Sequence, residues 1–268
     1  MPQTMSTSRF LTRFLLSVWG LAAVLGIVYL FLKPDAVSQL SAEVETPGAM
    51  VVVELFTSQE CSSCPLADAV LTQIEADSRN KGQPVYCLAY PVGSVDHSGG
   101  GEPLAAAAIT ERLATYAKTL GTTPLDAPQM IVNGTEQFWG SDQARAVRAI
   151  SEGLSRVAPV RLEIKASAIE REILVECQIQ DAPEGAILSV AWVEGPSPPT
   201  PNSVEKSSQA WKPVDVVSDF QSVPLDATFD GTIRLRRSEK RGGKVIAFVQ
   251  QPGPGRVQGA TSVSLVGE

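Results

Sequence analysis

Residues 51–65 read VVVELFTSQECSSCP, and this stretch sets the architecture around it. Its first half is an apolar, β-branched run of the kind found in a buried central strand, broken only by Glu54. A short polar loop follows, and then Cys61-Ser62-Ser63-Cys64-Pro65. Proline is suited to the first turn of a helix, where its missing N–H costs nothing. Leu66, Val70 and Ile74 recur at i+4 steps behind it and predict one apolar helix face. The cysteine pair thus marks the hand-over from strand to helix.

That position gives the spacing its chemical meaning. Cysteines at i and i+3 on a helix start bring their sulfurs within reach of each other. The unpaired N–H groups there favour thiolate over thiol. Cys61 is therefore expected to attack, and Cys64 to resolve the mixed disulfide. A passive disulfide and half of a metal site are the bland alternatives. Glu54, seven residues upstream, has two readings: a buried carboxylate that relays the resolving thiol's proton, or an outward-facing strand glutamate.

Beyond this motif, VYCLAYPV (85–92) predicts a second strand. Ile109, Leu113, Tyr116 and Leu120 repeat as one helix face stopped at Gly121. Met130-Ile131-Val132, the Asn133-Gly134 turn and residues 135–139 predict a hairpin. Ser141 can cap a third helix with Val147, Ile150 and Leu154 as its buried stripe. Pro128, just ahead of the hairpin strand, cannot donate to a ladder and is a candidate cis proline. After residue 157 short, mostly alternating strands take over, around a Pro/Ser-rich loop at 195–203. The expected fold is an α/β domain of order β-α-β-α-β-β-α at 49–157, then a small all-β sandwich or barrel at 158–268.

Residues 14–32 (FLLSVWGLAAVLGIVYLFL) carry no charge and are just long enough to cross a bilayer. Arg9 and Arg13 precede them, so residues 1–13 are expected in the cytoplasm and the bulk of the chain outside it. A retained transmembrane anchor and a cleaved signal both fit; residues 33–48 read as a linker. The protein is predicted at the inner membrane, with its C-terminal region periplasmic, or secreted if cleaved. The formal charge is −7, with 22 basic and 29 acidic side chains. That balance argues against a nucleic-acid partner. One histidine and one close cysteine pair exclude a zinc ribbon and a two-histidine zinc helix.

Several segments together resemble a thioredoxin-fold domain, and more specifically the secreted bacterial proteins grouped as domain of unknown function 1223. They are residues 53–59, 61–65, Ala67-Asp68, Pro128-Gln129-Met130, Val132-Asn133-Gly134 and Gly140-Ser141-Asp142. The β-rich tail is similar to that family's C-terminal region more loosely. The resemblance implies a thioredoxin-like fold for 49–157, a thiol–disulfide role for Cys61 and Cys64, and a place beside them for Pro128. Residues 90–101 (YPVGSVDHSGGG) depart from the pattern. The family usually has a histidine and an aromatic-rich stretch there, ending in tryptophan and aspartate.

The expected activity is thiol–disulfide oxidoreduction on a protein partner, with an unidentified redox partner and no cofactor. Two alternatives stand beside it. One is a non-catalytic binding or assembly module with a static disulfide; the other is copper handling by Cys61, Cys64 and His97. Cys87 and Cys177 read as small core hydrophobes, with a bridge between them as the alternative. Asn133-Gly134-Thr135 matches a glycosylation pattern, but the turn explains it better.

Overall fold

The computed structural model describes residues 40–41, 48–58, 60–92, 103–121, 127–194, 215–226, 228–237 and 242–267. In chain order these form β1 (Leu40–Ser41), β2 (Val51–Thr57), α1 (Cys64–Asn80), β3 (Val85–Pro91), α2 (Pro103–Thr119), β4 (Gln129–Val132), β5 (Glu136–Trp139) and α3 (Gln143–Leu154). There follow β6 (Arg161–Ile169), β7 (Glu172–Gln180), β8 (Ile187–Glu194), β9 (Val216–Pro224), β10 (Phe229–Arg236), β11 (Gly243–Gln250) and β12 (Val257–Leu265). A mixed eight-stranded sheet has the order β12-β11-β8-β9-β3-β2-β4-β5, and a four-stranded sheet the order β1-β6-β7-β10.

This corrects the expected fold class. The described chain is mostly β, and it is not an α/β thioredoxin-like domain followed by a separate all-β domain. One sheet runs through both halves, because β9 lies parallel to β3 at Ala89–Val216. The Ala89 N–H donates to the Asp215 carbonyl at 2.8 Å in the same junction. Residues Ser38–Glu268 accordingly form one compact unit. The expected transmembrane helix is not found either. Among the described residues no helix is long and apolar enough to cross a membrane, and residues 14–32 lie outside them.

The physical reason for the merger lies in β8 and β11. A sandwich strand has one wet face and alternates, as β6 does with Leu162, Ile164 and Ala166 turned inward. β8 is buried on both faces. Leu188, Val190 and Trp192 enter the core under the small sheet, while Ala191 and Val193 enter a second core under α2. β11 does the same, with Val245, Ala247 and Val249 on one side and Ile246 and Phe248 on the other. Strands apolar on both faces need two covering layers, which a sandwich alone cannot supply.

The third core lies between β2, β3 and β4 and helices α1 and α3. Val51, Val53 and Leu55 point into it, whereas Val52 and Phe56 point toward α2. At the β4–β5 turn, Asn133 (φ 48°) and Gly134 (φ 72°) are both left-handed. The Thr135 N–H closes the turn on the Val132 carbonyl at 3.1 Å. Asn133 also holds neighbouring strands: its Oδ1 accepts from the Val52 N–H at 2.8 Å, and its carbonyl accepts from the Val257 N–H at 3.1 Å.

Candidate redox site

β2 ends at Thr57, and the chain turns twice before α1: the Cys61 N–H donates to the Ser58 carbonyl, and the Cys64 N–H to that of Cys61. Cys64 is the first residue of the helix, Ser63 its N-cap and Pro65 part of its first turn. Cys61 and Cys64 form a disulfide with a Cα–Cα separation of 5.4 Å. The two sulfurs have different surroundings. Cys64 is wholly buried, and its Sγ accepts from the Ser58 N–H at 3.4 Å. Cys61 is half-buried. Its Sγ lies 3.4 Å from the Ala127 carbonyl oxygen and 3.4 Å from Ser63 Oγ.

Pro128 therefore stands next to the pair, and the Ala127–Pro128 peptide is cis. Gly140 fixes this juxtaposition, since its N–H donates to the Pro128 carbonyl at 3.1 Å. A Cβ there would come within 2.6 Å of Leu55 Cδ1 and 2.7 Å of Ala67 Cβ. Only glycine lets β2, α1 and the Pro128 segment meet so closely.

Glu54 is not part of this constellation. It is wholly buried, as the relay reading requires, but it faces α2 rather than α1. Arg112 grips it with two bonds, Nε to Oε1 at 2.6 Å and Nη2 to Oε2 at 2.9 Å. Tyr116 donates its hydroxyl to Glu54 Oε2. Gln250, from β11, accepts from Arg112 Nη2 at 2.7 Å and donates to the Tyr116 hydroxyl at 3.0 Å. The guanidinium carbon lies 4.9 to 5.3 Å from the ring centroids of Tyr116, Phe248 and Phe220.

Burial alone would lower the Arg112 pKa. The facing Glu54 carboxylate, then Tyr116 and Tyr90, more than reverse this, and it is raised. The Tyr116 and Tyr90 phenols are pushed well up, by burial first. Glu54 and Arg112 are thus a buried, fully engaged salt bridge that, with Gln250, joins β2, α2 and β11. Arg112 was visible in the sequence as the one charge on the apolar stripe of Ile109 and Tyr116. A second charge in an apolar strand, Glu54, was its available partner.

Cys87 and Cys177 are free and buried, in different cores. No bridge joins them. Burial pushes the Cys177 thiol up to about 12 and the Cys87 thiol beyond the ordinary range, with Asp215 adding to the latter. Both remain protonated thiols in the folded protein at pH 8, where a free thiol is partly ionised. Mass spectrometry after iodoacetamide treatment at pH 8 should show no label on either residue in the native chain, and label on both in urea. His97 lies outside the described residues. Among those described, no group of three or more potential ligand side chains converges.

The family model described as "Protein of unknown function (DUF1223)" matches residues 52–250. A solved structure is also similar: the X-ray crystal structure of protein AGR_C_4864 from Agrobacterium tumefaciens. It shares 25% identity and a TM-score of 0.57, over 84% of this chain and 97% of that one. No curated protein matches in sequence. The family match spans both the cysteine–helix junction and the shared sheet down to the end of β11, so the chain belongs to the DUF1223 family.

Proposed function

We propose that this protein exchanges dithiol for disulfide through Cys61 and Cys64. The observation that carries the reading is the asymmetry of the bonded pair. A half-buried sulfur at the mouth of a helix is linked to a buried one that already receives a backbone N–H. An incoming thiolate reaches Cys61. As the new S–S bond forms, the Cys61–Cys64 bond breaks and its electron pair goes to Cys64 Sγ, where the Ser58 N–H and the helix N-terminus stabilise the charge. A second partner thiolate then attacks its own sulfur in the mixed disulfide and releases Cys61. Two electrons have passed from a dithiol to the pair, and the reverse sequence passes them to a partner disulfide.

The residues involved act without a cofactor, and Pro128 shapes the side from which a partner approaches. We place the reaction outside the cytoplasm, where disulfides persist. The uncharged segment at 14–32 behind Arg9 and Arg13 supports that placement. In an insulin-reduction assay with dithiothreitol as electron donor, the full chain should accelerate precipitation. Cys61→Ser should bring the rate down to the uncatalysed background. Undiminished catalysis by Cys61→Ser would overturn the mechanism.

A further inference from the structure

A serine at the N-cap of a helix normally turns its hydroxyl onto a backbone N–H of the first turn. Ser63 holds that position in α1, with φ −94° and ψ −11°, yet its side chain makes no capping bond. Ser63 is exposed, and its Oγ lies 3.4 Å from Cys61 Sγ instead. A disulfide sulfur carries no hydrogen, so in the oxidised chain the hydroxyl is the donor in this contact.

The other neighbour of that sulfur pulls the opposite way. The Ala127 carbonyl oxygen is also 3.4 Å from Cys61 Sγ; it accepts from a thiol and repels a thiolate. Once the pair is reduced, hydroxyl and carbonyl compete over the charge state of one atom. A hydrogen bond to an ion is about twice as strong as one between neutral groups, so the Ser63 hydroxyl gains most when Cys61 is ionised. Residues 57–59 and 127–129, on either side of the pair, include no titratable side chain. The acidic groups nearest in sequence, Glu60 and Asp68, oppose a thiolate equally in any Ser63 variant and cancel from the comparison.

We propose that Ser63 sets the redox poise of this couple by donating its hydroxyl to the Cys61 thiolate. The proposal rests on the exchange reading above and assigns a determinant of the same site. Reduction by a dithiol delivers two electrons, breaks the Cys61–Cys64 bond and leaves Cys61 as thiolate and Cys64 as thiol. The dithiol becomes a disulfide and gives up two protons, one to Cys64 and one to solvent. Ser63 keeps its own proton throughout and stabilises the reduced product.

The test uses the full chain with Ser63→Ala and with Ser63→Thr, which keeps the hydroxyl. In glutathione buffers at pH 8 the equilibrium should move about tenfold toward the disulfide in Ser63→Ala, the low end for a hydrogen bond to a charged group. Iodoacetamide labelling of Cys61 in the reduced chain, followed by mass spectrometry against pH, should shift to higher pH in the same variant. Ser63→Thr should match the wild type in both measurements. The urea midpoint of the oxidised chain should be the same in all three, because no capping bond is lost. An unchanged glutathione equilibrium and labelling profile in Ser63→Ala would overturn the proposal, and so would a shift that Ser63→Thr fails to reverse. A lowered urea midpoint without either shift would make the hydroxyl structural and overturn it too. The exchange reading survives those results if the wild-type chain accelerates insulin reduction. A wild-type chain that does not accelerate it removes the exchange reading, and the redox role of Ser63 with it.

Discussion

Arg112→Ala should lower the unfolding free energy by about 3–5 kcal/mol, read as a drop in the urea midpoint at unchanged slope. The substitution leaves the Glu54 carboxyl without its guanidinium partner in a site with no solvent contact, and it strips Gln250 and Tyr116 of a shared donor. An uncompensated buried charge is the costly outcome, and it exceeds what the pair contributes while intact. The matched control is Glu54→Leu combined with Arg112→Met, which removes both charges and keeps most of the volume. The double variant should recover most of the loss, because an apolar pair has no desolvation cost to offset. A single substitution costing under about 1 kcal/mol would mean that the network contributes little to holding α2 over the sheet.

The same residues show what a sequence discloses. β2, the cysteine–helix junction and the left-handed turn at Asn133-Gly134 are local features. Each depends on residues within one turn or one strand, and each was legible. Helix faces were legible to within one residue. The α1 stripe read as Leu66, Val70 and Ile74 is in fact Cys64, Ala67, Leu71 and Ile74, with Leu66 in solvent. Likewise α3 buries Ala146, Ala149, Ile150 and Gly153 and leaves Val147 57% exposed. Alanine and glycine mark these faces because the layers pack closely. An apolarity count passes over small residues in favour of large ones.

The sheet order was not legible, because the joining of β9 to β3 depends on partners more than 100 residues apart in sequence. The clue available was the two-faced apolarity of β8 and β11, which alternation at β6 and β7 obscured. Glu54 illustrates the other limit. Its burial was one of two open readings, but its partner lies on α2, 58 residues away, and only the fold shows which face of β2 it occupies. A sequence can nominate a buried charge without saying whether it serves chemistry or architecture.

Gly134→Ala should cost about 3 kcal/mol, and the reason connects the hairpin to the Glu54 network. At φ 72° an L side chain is strained by about 1–2 kcal/mol. Space adds to this, because a Cβ at Gly134 would overlap the Gly255 carbonyl oxygen and approach Gln250 Nε2 to 2.8 Å. Overpacking of that kind typically costs about 1–3 kcal/mol, and here the obstacle is backbone, which cannot rotate away. The Gln250 amide also donates to the Gly255 carbonyl at 2.9 Å and to the Tyr116 hydroxyl. Displacing it loosens the end of the Arg112 cluster that β11 supplies. Gly82 is the control for conformation alone, with φ 60° and open space around it. Gly82→Ala should lose only the backbone part, about 1–2 kcal/mol. If the two alanine variants unfold at the same urea concentration, the close approach at Gly255 is not a constraint on the fold. If Gly134→Ala and Arg112→Ala together cost clearly less than the sum of their separate effects, the turn and the buried pair act as one unit.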